Sequence, residues 1–338
     1  MKDFFECNLF QTQEEDRNID SFAFKQKELV FKNFTEGNKA IFDHKSVTYQ
    51  VKFERESISR EKVPLILPIR GMPELLDHTL NNLFDNDVDK YTNIIVIDDR
   101  TPDIDLIKSV TSKYEGVSYM RVNNKKGFNY SMLANTAAYI IYSLGFSEII
   151  YWNSDMWVDS PSTVPALIEK HRKNACTISG TKLVYPTHHW KTGEELSKTH
   201  KIQFGGGYLD RHPTNARFEP RHYRRYSEIN DPLVTHDCGM LFVTGAYTMI
   251  HLPWLMNAGG FNPSLSKVYN DIDICLRASI AGQKVMYFGK DTYLIHGESI
   301  NLNNSSEPKF DSQFTSDAVL YSKIYPMSLI QNMLGIHV

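Results

Sequence analysis

Between Val63 and Trp152 the chain alternates four short apolar runs with three amphipathic stretches, and this alternation constrains the fold more than any other feature. VPLILP (63–68), NIIVIDD (93–99), VSYMRV (117–122) and EIIYW (148–152) have the length and β-branched content of buried strands. Helices are expected at PELLDHTLNNLF (73–84), Ile104–Tyr114 and Tyr130–Leu144. Pro73 suits a first helical turn, Leu75, Leu76, Leu80 and Leu83 share one face, and Gly145 suits the position after a helix end. Strands joined by crossover helices imply a parallel sheet, and such sheets bind ligands beyond the carboxyl ends of their strands. That rim carries Pro68–Arg70, Asp98–Asp99 and Asn153–Ser154–Asp155. Acidic groups gathered there repel one another unless a cation or hydrogen-bond donor lies between them.

Flanking segments read less clearly. Residues 1–62 form an N-terminal accessory segment, with β-prone runs at Glu28–Phe34 and Val47–Phe53 and a charged linker or surface helix at Glu54–Lys62. After Pro161 the regular alternation fades, and residues 180–235 read as loops and short strands. FVTGAYTMI (242–250) restores a strand pattern, and NDIDICLRASIAG (270–282) is a helix with Ile272, Cys275, Leu276 and Ile280 facing inward. VMYFG (285–289) is a further strand leading to Tyr293–His296, and the tail at 315–338 reads as a helix interrupted at Pro326.

Composition sets the outer bounds. With 338 residues and 41% apolar side chains, the chain can build a large packed core. A net charge of -3 gives no overall reason to expect nucleic acid or an anionic membrane as partner. Cys7, Cys176, Cys238 and Cys275 show no metal-site or disulfide-scaffold spacing, which fits reduced thiols. No apolar run approaches the about 18 residues of a membrane span, and the acidic N-terminus is unlike a signal peptide. A cytoplasmic location, at most peripheral to a membrane, is the expectation.

Six ordered motifs carry a resemblance. IIVIDDRTPD (94–103), KKGFNYSMLANTA (125–137), YWNSDMW (151–157), GAYTMIHLPWLMNAGGFNP (245–263), NDIDICLRASIAGQKVMY (270–287) and LIHGES (294–299) resemble, in order, the conserved stretches of family 2 glycosyltransferases of the GT-A fold. The resemblance implies an α/β, Rossmann-like, mostly parallel sheet flanked by helices. The implied domain spans 63–300, with a nucleotide-binding half at 63–160, an acceptor half at 161–300 and a C-terminal tail at 301–338. It also implies inverting transfer from a nucleotide-sugar donor, most simply a UDP-sugar, to an acceptor hydroxyl.

By the same resemblance Pro68, Arg70, Asp98, Asp99, Asn135, Asn153, Ser154, Gly245 and Gly260 contact or shape the donor pocket. Asp99 is the expected nucleotide contact, and one of the neighbouring aspartates, among them Asp103, caps the next helix. Asp155 and His296 would hold a divalent cation, Mn²⁺ or Mg²⁺, since a sugar-diphosphate leaving group needs its charge neutralised. Asn153 and Asn270 stand where the family pattern has carboxylates. Asp271 is the expected general base, while Asp273 faces Arg277 one turn later.

Arg221, Arg224 and Arg225, in an arginine- and aromatic-rich stretch, are expected on the acceptor side. The stretch reads either as a solvated loop or as a loop for an anionic acceptor, and the acceptor would be a glycan, a lipid-linked glycan, a protein or a modified DNA base. Gly205–Gly207 lacks the context of a phosphate cradle and reads as a tight bend. Two rivals stand beside the transferase: a catalytically inactive nucleotide-sugar-binding scaffold, and a sugar nucleotidyltransferase, disfavoured by the glycine-poor segment after the first strand.

Overall fold

The computed structural model describes residues 4–9, 47–54, 58–124, 128–197, 200–211, 218–298 and 310–333. Two strands, β1 (Phe4–Leu9) and β2 (Val47–Glu54), pair antiparallel. The alternating region then runs β3 (Val63–Ile69), α1 (Pro73–Asp85), α2 (Val88–Tyr91), β4 (Thr92–Asp99), α3 (Ile104–Thr111), β5 (Ser118–Asn124), α4 (Tyr130–Ser143) and β6 (Glu148–Trp152). β7 (Met156–Trp157), α5 (Thr163–Lys173), β8 (Ile178–Val184), β9 (Ile202–Phe204), β10 (Gly207–Arg211), β11 (Phe218–His222) and β12 (Asp237–Gly239) follow. The remaining elements are β13 (Tyr247–His251), α6 (Leu252–Asn257), α7 (Asn270–Ile280), β14 (Val285–His296), α8 (Phe310–Ile324) and α9 (Met327–Met333).

One 12-stranded sheet has the main order β1-β2-β5-β4-β3-β6-β13-β8-β14-β12, with β7 on β14 and β9 on β8. β5, β4, β3 and β6 are mutually parallel, as the crossover helices require. β4 and β5 lie on one side of β3 and β6 on the other, so the strand order reverses between β3 and β6. That switch point opens a crevice at the carboxyl ends, where ligands bind in such sheets. Every residue of β4 is buried, and Leu75, Leu76, Leu80 and Leu83 of α1 are fully buried against the sheet. The periodicity that names these elements is thus the consequence of two-sided burial.

Several expectations are corrected. Regular structure does not fade after Pro161: α5 and β8 form a further helix–strand unit, and β8 runs parallel to β14. The glycine- and threonine-containing ISGTKLV is a fully buried strand, and its polar members are paired internally, as with Thr181 Oγ1 donating to the Phe288 carbonyl at 2.7 Å. Ile280 is 53% exposed because the last turn of α7 runs out past the core, whereas Ile272, Cys275 and Leu276 are buried. α3 stops at Thr111, and Ile58–Lys62 is not helical. Val47–Glu54 is a strand of the main sheet, paired with β5, while Glu28–Phe34 lies outside the described residues.

The helix ends agree with the chemistry that predicts them. Asp103 caps α3, accepting from the backbone N–H groups of Asp105 and Leu106. Gly145, at φ 82°, follows the end of α4 in the left-handed conformation that favours glycine. The tail breaks at Pro326 between α8 and α9. No helix among the described residues is long and apolar enough to cross a membrane. Cys176, Cys238 and Cys275 are free thiols.

Candidate active site

The ends of β3, β4 and β6 bring the predicted rim residues together. Asp98 and Asp99 are both buried, yet they do different work. Asp98 accepts from Thr101 N at 2.8 Å and Thr101 Oγ1 at 2.5 Å on one oxygen, and from Tyr119 OH and Arg121 Nη1, each at 2.7 Å, on the other. Its capacity is taken up inside the protein. Thr101 Oγ1 in turn accepts the Gly71 N–H at 2.8 Å, which ties the loop after β3 to the loop after β4.

Asp99 is the opposite case. Neither oxygen has a hydrogen-bond partner among the described residues, although Arg70 stands 3.7 Å and Arg100 3.5 Å away. Burial pushes its carboxyl up to about 6, against the lowering effect of Arg100 and Arg70. A buried carboxylate with vacant lone pairs at a strand end is built to accept N–H or O–H groups from a ligand. Pro68 is half-buried in β3 at the same rim, paired with Ile97.

The second cluster forms where β7 and the end of β14 meet. Ile295 pairs with Trp157 and His296 with Met156, and Gly297 N donates to the Asp155 carbonyl at 2.8 Å. This register sets His296 Nε2 3.3 Å from Asp155 Oδ1. Gln203, on β9, fixes the imidazole: its Oε1 lies 2.5 Å from His296 Nδ1, while its Nε2 donates to the His296 carbonyl at 3.3 Å. An amide oxygen only accepts, so Nδ1 carries the proton and the Nε2 of a neutral ring is a bare lone pair.

That nitrogen is buried, has no hydrogen-bond partner among the described residues, and faces a carboxylate oxygen. A proton on Nε2 or a cation beside the pair would offset two electron-rich atoms at this distance. A nitrogen and a hard oxygen suit Mn²⁺ or Mg²⁺, and Gln203 stands where an outer residue orients a metal-ligating histidine. Among the described residues there is no group of three or more His, Cys, Asp or Glu side chains that would enclose an ion. An ion held by this pair would need its remaining ligands from a bound phosphate or water.

The third cluster is linked to the second through the sheet. Asn153 N donates to the Ala246 carbonyl at 2.9 Å, and the adjacent Gly245 N donates to Asp271 Oδ2 at 2.8 Å. Asp271 Oδ1 accepts from Ile272 N at 2.9 Å. Burial raises the Asp271 carboxyl, while the Gly245 and Ile272 N–H groups pull it back down. Asp271 is not the cap of α7: that position belongs to Tyr269, held at φ 63°. Asp273 is fully engaged, receiving Arg277 Nε at 2.9 Å and Nη2 at 2.7 Å on Oδ2 and Tyr325 OH at 2.9 Å on Oδ1. Asn270 is buried, and its Nδ2 has no partner among the described residues.

Other predicted contacts turn inward. Asn135 clamps Phe261, accepting its N–H at 2.7 Å and donating to its carbonyl at 2.8 Å. Gly260, at φ 77°, packs against this clamp, and a Cβ there would lie 2.4 Å from Asn135 Oδ1. Ser154 is buried, and its carbonyl accepts Thr79 Oγ1 at 2.6 Å. Arg221 pairs with Glu219 at 2.7 Å, Arg224 Nε with Asp231 at 2.6 Å, and Arg225 with Glu298 and Tyr185 OH. The arginines expected to await an anionic acceptor are each matched within the fold, and Arg225 meets a carboxylate two residues beyond His296. The Gly205–Gly207 bend is a packing requirement, since a Cβ on Gly207 would meet Phe242 at 2.4 Å.

Gln203 and Thr101 are the residues that sequence reasoning passed over. Gln203 had one available signal, a polar side chain between the buried Ile202 and Phe204.

No family model and no curated protein matches this chain. Solved structures do match. GalNAc-T7, solved with UDP, GalNAc and Mn²⁺, superposes with a TM-score of 0.51 at 14% identity, covering 77% of this chain and 45% of its own. The chain thus spans less than half the length of that protein. The mannosyltransferase PcManGT from Pyrobaculum calidifontis, in complex with GDP-Man and Mn²⁺, matches at 11% identity with a TM-score of 0.44, covering 94% of this chain and 84% of its own. The sheet order, the switch-point crevice and the first of these superpositions together identify the fold as that of the GT-A glycosyltransferases.

Proposed function

We propose that this chain is a metal-dependent glycosyltransferase that moves a sugar from a nucleotide-sugar donor, a UDP-sugar, to an acceptor hydroxyl with inversion. The observation that carries the reading is the bare His296 Nε2 3.3 Å from Asp155 Oδ1, on the carboxyl rim that also holds the unsatisfied oxygens of Asp99. GalNAc-T7 was solved with UDP and Mn²⁺, and the same ligand classes are proposed here. The reading assigns residues 63–160 to the donor and 161–300 to the acceptor.

Asp99 accepts hydrogen bonds from the base or ribose of the donor, and Arg70 balances its charge. Asp155 and His296 would hold Mn²⁺ or Mg²⁺, with Gln203 fixing the imidazole. When bound, the ion supplies a Lewis acid to the departing diphosphate. Asp271 takes the proton of the attacking hydroxyl as the new bond to the anomeric carbon forms and the bond to the diphosphate breaks. Its two backbone N–H bonds hold the carboxylate in place and leave each oxygen a further lone pair.

Asn153 and Asn270, lacking charge, favour a second reading as an inactive nucleotide-sugar-binding scaffold. One experiment separates the two. Thermal shift is measured with UDP-, GDP- and TDP-sugars, with and without Mn²⁺, followed by donor turnover. Stabilisation is expected only with donor and Mn²⁺ together, by about 2.7 kcal/mol at a hundredfold excess over Kd. Asp271→Asn should keep that stabilisation and lose about 10²–10⁴-fold in transfer. A donor response unchanged by EDTA, or wild-type turnover by Asp271→Asn, refutes the assignment; binding without any turnover selects the scaffold.

A further inference from the structure

A cluster of rings beside Asp155 has no part in the chemistry above. His78, on the exposed side of α1, stands edge-on to Trp157, with centroids 5.3 Å apart and planes at 73°. Its other neighbour is Trp190, at 6.0 Å and 44°, and His189 adds a fourth ring 6.2 Å from Trp190. Trp157 is only 5% exposed, and its Nε1 has no hydrogen-bond partner among the described residues. Trp190 is half-buried and His78 is exposed, so the upper faces of the cluster meet solvent.

Position and rigidity set this cluster apart from incidental surface aromatics. Trp157 is two residues from Asp155, a Cα separation of at most about 7 Å. Thr79, next to His78, bonds the Ser154 carbonyl at 2.6 Å, which ties α1 to the same segment. Trp190 rides a hairpin closed by His189 N to the Glu194 carbonyl at 2.8 Å and Leu196 N to the Thr187 carbonyl at 2.9 Å. Lys191 pins that hairpin to α1 through Glu74 at 3.3 Å. The rings are preorganised, which lowers the entropy lost on binding.

We infer that Trp190 and His78 form a stacking platform for a pyranose ring of the acceptor, and that the acceptor is a glycan. This rests on the glycosyltransferase reading. A pyranose presents an apolar C–H face and a hydroxyl rim, which matches half-exposed rings with polar edges. Lys191 pairs with Glu74 and also stands 5.9 Å over the Trp190 ring, while Arg224 is paired with Asp231 and Arg225 with Glu298. Desolvation also lowers the His78 pKa, which favours its neutral ring. The acceptor is held by stacking and hydroxyl hydrogen bonds.

The test follows intrinsic tryptophan fluorescence of the full chain during titration with methyl glycosides of hexoses and N-acetylhexosamines. A single-stranded oligonucleotide serves as the competing probe. Glycosides are expected to perturb the wild-type signal, and Trp190→Ala to abolish that perturbation. In turnover, Trp190→Ala should raise acceptor KM about tenfold with donor hydrolysis unchanged, and Trp190→Phe should recover most of the loss. The platform is overturned if no glycoside perturbs the wild type, if Trp190→Ala responds as wild type does, or if donor hydrolysis and transfer fall together. Oligonucleotide binding that disappears in Trp190→Ala overturns the glycan class. A glycoside response through Trp190 in a protein that binds no nucleotide sugar leaves the platform standing and removes the transferase reading.

Discussion

Asp99 is where function and stability are most directly opposed. Its carboxyl is 1% exposed, accepts no hydrogen bond among the described residues, and titrates near 6 against an ordinary 3.8, chiefly because it is buried. The unfolded chain sheds this proton near pH 4 and the native chain near pH 6, so across that window the native state binds more protons. Stability therefore falls as pH rises from 4 to 6, and above 6 the full cost is present. At about 1.4 kcal/mol per pH unit, a rise from 3.8 to about 6 amounts to about 3 kcal/mol. Asp99→Asn keeps the shape and removes the charge. It should stabilise the protein by about 2–3 kcal/mol at neutral pH and by much less near pH 4, while weakening donor binding. Urea denaturation of both proteins at about pH 4 and about pH 7 measures the first effect, and donor KM against kcat the second. A variant less stable than wild type at neutral pH, or one with unchanged donor KM, would refute the reasoning.

Two further outcomes follow from the same contacts. Gln203→Ala removes the acceptor that holds the proton on His296 Nδ1, and should weaken Mn²⁺ binding by about 10–100-fold, read as free Mn²⁺ by electron paramagnetic resonance; unchanged affinity would remove Gln203 from the site. Tyr325→Phe deletes the hydroxyl that the residue just past α8 lends to buried Asp273, and should cost about 1–2 kcal/mol of stability and lower kcat with donor KM unchanged; a donor KM that rises with full kcat would show that the tail serves the donor instead.

The strand–helix alternation from Val63 to Trp152 was legible because each element is defined by a local period and most of the sheet is buried on both faces. α5 and β8 were missed for a physical reason. TVPALIEKHRK has proline in its first turn and four basic or histidine residues in its last, and only five of its side chains are buried. ISGTKLV buries a lysine and two hydroxyls whose partners, such as Ile229 and Phe288, are distant in sequence. A polar residue satisfied by a remote carbonyl has no local signature. β2 was legible as the β-prone run at Val47–Phe53, but its place in the sheet depends on pairing with β5, and that of β1 on pairing with β2.

The site was legible in its residue types and illegible in its division of labour. Asp98 and Asp99 are adjacent and chemically identical, yet one receives four internal hydrogen bonds and the other none. What decides between them is the donors that Thr101, Tyr119 and Arg121 bring to Asp98, and tertiary folding alone brings them there. Asp271 and Asp273 repeat the pattern two residues apart: Arg277 and Tyr325 occupy Asp273, while Asp271 meets only backbone N–H groups and keeps lone pairs for a proton. In both pairs one carboxylate is saturated by side-chain donors, and the proposed reading gives its neighbour the chemistry. Burial raises the Asp99 and Asp271 carboxyls, against the donors and cations beside them. A sequence states how many acceptors a rim possesses; on the proposed reading a ligand meets those the fold has not already supplied with donors, which would be Asp99, Asp271 and the His296 nitrogen facing Asp155.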